Sequence, residues 1–114
     1  MFRTIVAALF SLVSLVSSAY ADPPNAKISA LASGALLLNG KTADLASIEA
    51  ELKRLRINNG EVWYYRESPQ TEPTPQAMAV VKLVIQYRLP ISFSSKPDFS
   101  DAVDDKGRSQ PRKR

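Results

Sequence analysis

Four aspartates, Asp98, Asp101, Asp104 and Asp105, crowd one stretch of the 114-residue chain, and Ser92, Ser94, Ser95 and Lys96 stand just before them. Oxygen-rich loops hold calcium when ligands alternate along the chain around a sharp glycine turn. Here the spacings are 3, 3 and 1, the pattern of a solvated exit segment. A serine nucleophile needs a base. The chain has no histidine, and no serine stands three residues before a lysine, so Ser94-Ser95-Lys96 reads as the end of a strand. Glu49 and Glu51 are two apart on an expected helix and point in different directions. The absence of histidine excludes imidazole catalysis and His–metal clusters, and the absence of cysteine excludes disulfides and thiolate sites. The expectation is a chain with no catalytic, cofactor-binding or metal-binding residues, and not an enzyme.

Recognition is the other chemistry on offer. Val62-Trp63-Tyr64-Tyr65 is the strongest strand signal in the chain. Side chains alternate along a strand, so Val62 and Tyr64 share one face, Trp63 and Tyr65 the other. One face packs under helices. The other is expected to be open, which makes Trp63 and Tyr65 a candidate interaction surface for a protein partner or a sugar ring. A second candidate is the basic tail, Arg108, Arg112, Lys113 and Arg114. It suits anionic lipid headgroups or an acidic wall polymer, against the plainer reading of a solubilising end. The net charge of +4 divides unevenly. Residues 22–105 carry nine basic and eleven acidic side chains, whereas residues 106–114 carry five basic and none acidic. The body is mildly acidic, the basicity sits in the tail, and nucleic acid is not an expected partner.

The elements that must position these residues follow from periodicity and from where glycines and prolines fall. Ala26–Leu31 and Ala35–Asn39 read as two strands of a hairpin around Ser33-Gly34. Asp44 suits a helix N-cap, and Leu45, Ile48, Leu52 and Leu55 form one apolar stripe over a helix at about 45–57, ended by Asn58-Asn59-Gly60. Strand 61–66 follows, then the polar loop Ser68–Thr74. Thr74-Pro75 is an N-cap followed by proline at the first helical position. Met78, Val81, Val84 and Ile85 mark the second helix, which Leu89-Pro90 stops. Ile91–Ser94 alternates as a last strand. The expected fold is α+β in the order β-β-α-β-α-β: a four-stranded mixed sheet, two helices on one face, the last two strands parallel. Residues 22–103 form one small domain and residues 104–114 a disordered basic tail.

Residues 1–21 read as an address. Arg3 precedes an apolar run from Ile5 to Val16, and Ala19-Tyr20-Ala21 supplies a cleavage site, the layout of a secretory signal peptide. The apolar run is shorter than the roughly 20 residues a spanning helix needs. The expected location is the periplasm, with residues 1–21 removed.

The order of elements resembles the periplasmic domain of the ExbD/TolR family of biopolymer-transport proteins. The likeness rests on Leu36-Leu37-Leu38-Asn39-Gly40-Lys41, on Asp44-Leu45, Ile48 and Leu52, on Val62–Tyr65, and on Ala77, Met78 and Val81. It implies a protein-interaction module accessory to an envelope transport or energy-transduction assembly, with an envelope protein as partner and self-association as a homodimer. The departures are equally specific. The family's transmembrane helix carries an aspartate for proton movement, whereas residues 5–16 contain no acidic side chain. Only Glu67 stands where the family has an acidic residue after the third strand, and a proline-rich loop replaces the turn beyond it. The resemblance thus implies a stand-alone module that conducts no protons and touches membrane only through a partner or its basic tail. The alternative reading is a module that binds peptidoglycan or another anionic envelope polymer.

Overall fold

The computed structural model describes residues 23–112; the expected signal peptide and the tail residues Lys113 and Arg114 lie outside the described residues. Nine elements follow one another: β1 (Asn25–Ala30), β2 (Leu36–Leu38), β3 (Lys41–Ala43), α1 (Leu45–Ile57), β4 (Glu61–Arg66), α2 (Pro75–Gln86), β5 (Ile91–Ser94), β6 (Asp101–Val103) and β7 (Ser109–Pro111). Strands one to five make a mixed sheet in the order β3-β2-β1-β4-β5, and β6 pairs with β7 in a separate two-stranded sheet. The α+β class and the mixed sheet are as the sequence predicts; the strand count is not.

Two differences account for the count. The first is β3. Asn39 and Gly40 take φ values of 51° and 85°, the left-handed pair that a tight hairpin turn requires, so the chain reverses and Lys41–Ala43 pairs antiparallel with β2. Lys41-Thr42-Ala43 is short, polar and at the sheet edge, with no hydrophobic period to reveal it. The second is the end of the chain. The expected disorder from residue 104 is corrected: Asp101–Val103 pairs antiparallel with Ser109–Pro111 through a turn at Gly107, where φ is 79°.

Both helices start where their caps place them. The Asp44 carboxylate accepts from the Ser47 amide at 2.8 Å, and the Thr74 hydroxyl accepts from the Ala77 amide at 3.1 Å with Pro75 at the first position. Ile48, Leu52 and Leu55 of α1 and Ala77, Val80 and Val84 of α2 are buried against Ala26, Ile28, Ala30, Leu36, Val62 and Tyr64 of the sheet. Burying a side chain of this size stabilises by roughly 1.5–3 kcal/mol, so this layer carries the fold. The Tyr87 hydroxyl donates to Glu49 across the helix pair at 2.7 Å. Gly60 is required by close approach: a Cβ there would meet the Leu55 side chain at 2.5 Å and the Pro24 carbonyl at 2.8 Å. Strands β1, β4 and β5 run parallel, with Ile28 beside Tyr64 and Tyr64 beside Phe93. The sheet's second face, opposite the helices, presents Lys27, Ser29, Trp63, Tyr65, Ser92 and Ser94 by alternation.

Candidate interaction surfaces

The second face is not the open aromatic platform the sequence predicts. Trp63 is only 6% exposed and Tyr65 is half-buried. The β6–β7 hairpin folds over them and sets Arg112 flat on the indole, its guanidinium carbon 3.9 Å from the ring centroid. That guanidinium donates to the hydroxyls of Ser92 at 2.9 Å and Ser94 at 2.6 Å, and to the carbonyls of Asp101 at 2.8 Å and Phe99 at 3.1 Å. The Arg112 amide donates to the Ser100 carbonyl at 3.1 Å. Lys27 approaches the same indole at 5.5 Å, and the indole N–H donates to Glu61 at 3.0 Å. Phe99 is buried edge-on to Tyr65, with centroids 6.4 Å apart. Trp63 and Arg112, expected as two separate binding elements, are thus partners within one chain. Of the other expected tail residues, Arg108 is exposed and 3.8 Å from Asp104, while Lys113 and Arg114 lie outside the described residues.

The aspartate stretch is not a solvated exit segment either. Asp101 is 2% exposed. Its carboxylate accepts from the Ser95 and Ser109 hydroxyls at 2.5 and 2.6 Å and from the Ser95 and Lys96 amides at 3.0 and 3.3 Å. Burial raises its pKa, but the hydrogen bonds from Ser109, Ser95 and Lys96 outweigh that cost and hold it at about 2. A carboxylate so stabilised is a poor base, so the Ser95–Asp101 contact has the chemistry of a structural anchor. Asp98 and Asp104 cap turns: Asp98 accepts from the Ser100 amide at 3.0 Å, and Asp104 from the Lys106 and Arg108 amides at 3.0 and 2.8 Å. Among the described residues, no three His, Cys, Asp or Glu side chains are grouped to hold a metal ion. Glu67, the position the family likeness singles out, accepts from the Ala32 amide at 2.8 Å and so ties the β1–β2 loop to the end of β4.

A different surface does stand open. Strand β5 is an edge of the five-stranded sheet. Val62 donates to the Pro90 carbonyl at 2.9 Å and pairs in register with Ile91, so residues 92 and 94 turn their backbone groups toward β4. The amides and carbonyls of Ile91 and Phe93 consequently point outward, and no described residue pairs with them. Beside this edge runs an apolar groove of about 390 Å³ between β5 and α2, walled by Tyr64, Ala77, Met78, Val81 and Phe93. Met78 is 48% exposed and Phe93 46%. Arg66 and Lys82 are its charged lining residues. Arg66 also donates to the Pro69 and Thr71 carbonyls, both at 2.6 Å, which holds the 68–71 loop against the strand end. A second hollow, of about 340 Å³, shares Tyr64, Arg66 and Phe93 and is closed by Ser94, Ser95 and Val103 of β6.

Sequence reasoning missed this groove. Spacing places Met78 and Val81 on the apolar stripe of the second helix and says nothing of which part of that stripe the sheet covers. The stripe is wider than the sheet beneath it, and its Met78 side overhangs the β5 edge. A one-residue clue was present: Phe93 alternates with serines on a strand with no strand after it in the sheet.

Comparison with protein-family models, with curated proteins and with solved structures finds no match to this chain. Among the described residues no helix is long and apolar enough to cross a membrane.

Proposed function

We propose that the protein is a non-enzymatic interaction module of the periplasm, accessory to an envelope transport or energy-transduction assembly of the ExbD/TolR type. It binds an extended segment of an envelope protein along β5. The open edge of β5 beside the Met78–Phe93 groove carries this reading. Strand addition draws affinity from main-chain hydrogen bonds and specificity from pockets that take alternate side chains. Ile91 and Phe93 offer the main-chain groups, and the groove offers an apolar pocket next to two cations. The complementary segment has apolar side chains at alternate positions and a carboxylate placed to meet Arg66 and Lys82. The periplasmic location rests on the leader reading of residues 1–21.

A photo-crosslinking side chain at position 78, compared with one at position 53 on the exposed side of α1, tests the site. The expected result is an adduct from position 78 alone, mapped by mass spectrometry to an acidic, apolar extended segment and lost on Phe93→Lys. Equal adducts from both positions contradict the proposal. An adduct joining β5 to β5 of a second copy gives the edge to a homodimer instead.

A further inference from the structure

Strand β7 is exposed along its whole length, and the first side chain beyond it, Arg112, is half-buried. The hairpin's hold on the sheet is mostly polar. Arg112 supplies four guanidinium hydrogen bonds and a stacking contact with Trp63, Asp101 supplies its ring of serine and amide contacts, and Phe99 is the buried apolar anchor. A segment with little apolar burial opens locally far below the free energy of global unfolding.

We propose that the slot formed by Trp63, Ser92, Ser94 and the carbonyls of Phe99 and Asp101 is a guanidinium-binding site. Arg112 is its ligand in cis, and the β6–β7 hairpin is therefore a latch. The slot is shaped for arginine rather than for positive charge. A planar fork reaches two hydroxyls and two carbonyls at once while its face lies on an indole, which a lysine ammonium cannot reproduce. With Arg112 seated, Trp63 is shut off from solvent and Val103 stands as a wall of the hollow beside Phe93. With Arg112 out, β7 loses its inward-facing anchor and lifts, while the Asp101 contacts to Ser95 and Lys96 and the Phe99 contact to Tyr65 keep β6 and the two slot carbonyls in place; Trp63 opens, and an arginine from another chain can take the slot. A consequence for the β5 groove, whose neighbouring wall the latch supplies, rests on the docking reading above; the slot and the latch do not.

Trp63 is the only tryptophan of the chain, so its fluorescence reports the slot directly. Acrylamide quenching is to be measured on the unaltered full chain and on its Arg112→Lys and Arg112→Ala variants, with far-UV circular dichroism to confirm that the helices remain. The expected quenching constant rises by about threefold in Arg112→Ala and nearly as much in Arg112→Lys, with an unchanged far-UV spectrum. Adding N-acetyl-argininamide at millimolar concentration to Arg112→Ala restores protection, and the lysine analogue does not. Equal quenching of the unaltered chain and of Arg112→Ala overturns the latch. Full protection in Arg112→Lys, or equal rescue by both amides, overturns guanidinium specificity, and no rescue by either overturns the slot as a ligand site. If Arg112→Ala loses its helices, Ser92→Ala/Ser94→Ala keeps the arginine and removes its two hydroxyl acceptors, and unchanged quenching there counts against the slot. These outcomes are read without any docking partner, so they stand or fall apart from the proposed function.

Discussion

The sheet has two faces that are covered in opposite ways. The inner face is covered by α1 and α2 with fully buried Ile48, Leu52, Leu55, Val80 and Val84. The outer face is covered over β4 and β5 by a hairpin held through Arg112, Asp101, four serines and one phenylalanine. Apolar burial is non-directional and sums over area, so the inner layer tolerates no loss of volume but little depends on any one angle. Hydrogen bonds and cation–ring contacts are directional, so the outer layer depends on a few groups in one geometry. The same strand, β4, serves both: Val62 and Tyr64 to the helices, Trp63 and Tyr65 to the hairpin. One layer holds the fold, and the other closes a surface that can be opened without undoing it.

Substitutions on the two faces sharpen that contrast. Leu52→Ala removes a fully buried side chain from the inner layer and is expected to lower stability by about 2–5 kcal/mol, read as a shift in the urea midpoint. Asp101→Asn retains the shape of the side chain but puts donors where Ser95, Ser109 and two amides already donate. It is expected to cost less, about 1–3 kcal/mol, with its larger effect on Trp63 quenching rather than on the helices. An equal loss of helix signal in both variants would erase the distinction between the faces.

Acid offers a gentler form of the same cut. Asp101 is held at about 2, against 3.8 for an ordinary aspartate. Its contribution to stability is therefore complete above the ordinary value and disappears as pH falls through about 2. Trp63 is expected to stay protected at pH 5 and to become quenchable between about pH 4 and pH 2, before the helix signal is lost. Loss of protection already near pH 6 would mean that some other group holds the hairpin.

The inner face was legible in the sequence because helices announce themselves. The stripe Ile48, Leu52, Leu55, the caps Asp44 and Thr74-Pro75, and the β-branched and aromatic run Val62–Tyr65 all agree with one another. The outer face was illegible for a physical reason. Ser109–Pro111 has no apolar period, and its place is set by what Arg112 and Ser109 reach across the fold, which spacing along the chain does not encode. Composition even pointed the wrong way: five basic and no acidic side chains over residues 106–114 look like a solvated tail, yet one of those bases is the plug over Trp63. Strand β3 escapes the sequence although Asn39-Gly40 is a strong turn signal, because the three residues after the turn, Lys41-Thr42-Ala43, carry no apolar alternation to mark a strand. The β5 groove depended on which strand ends at an edge, and that is a property of the assembled sheet.

Native-state hydrogen exchange separates the two faces most directly. The Asp104 amide donates to the Arg108 carbonyl at 2.8 Å inside the hairpin, and the Val62 amide donates to the Pro90 carbonyl at 2.9 Å inside the main sheet. Arg112→Ala is expected to speed exchange at Asp104 by about tenfold while leaving Val62 near its original rate. Acceleration of both amides together, or of neither, would contradict a separately opening outer layer.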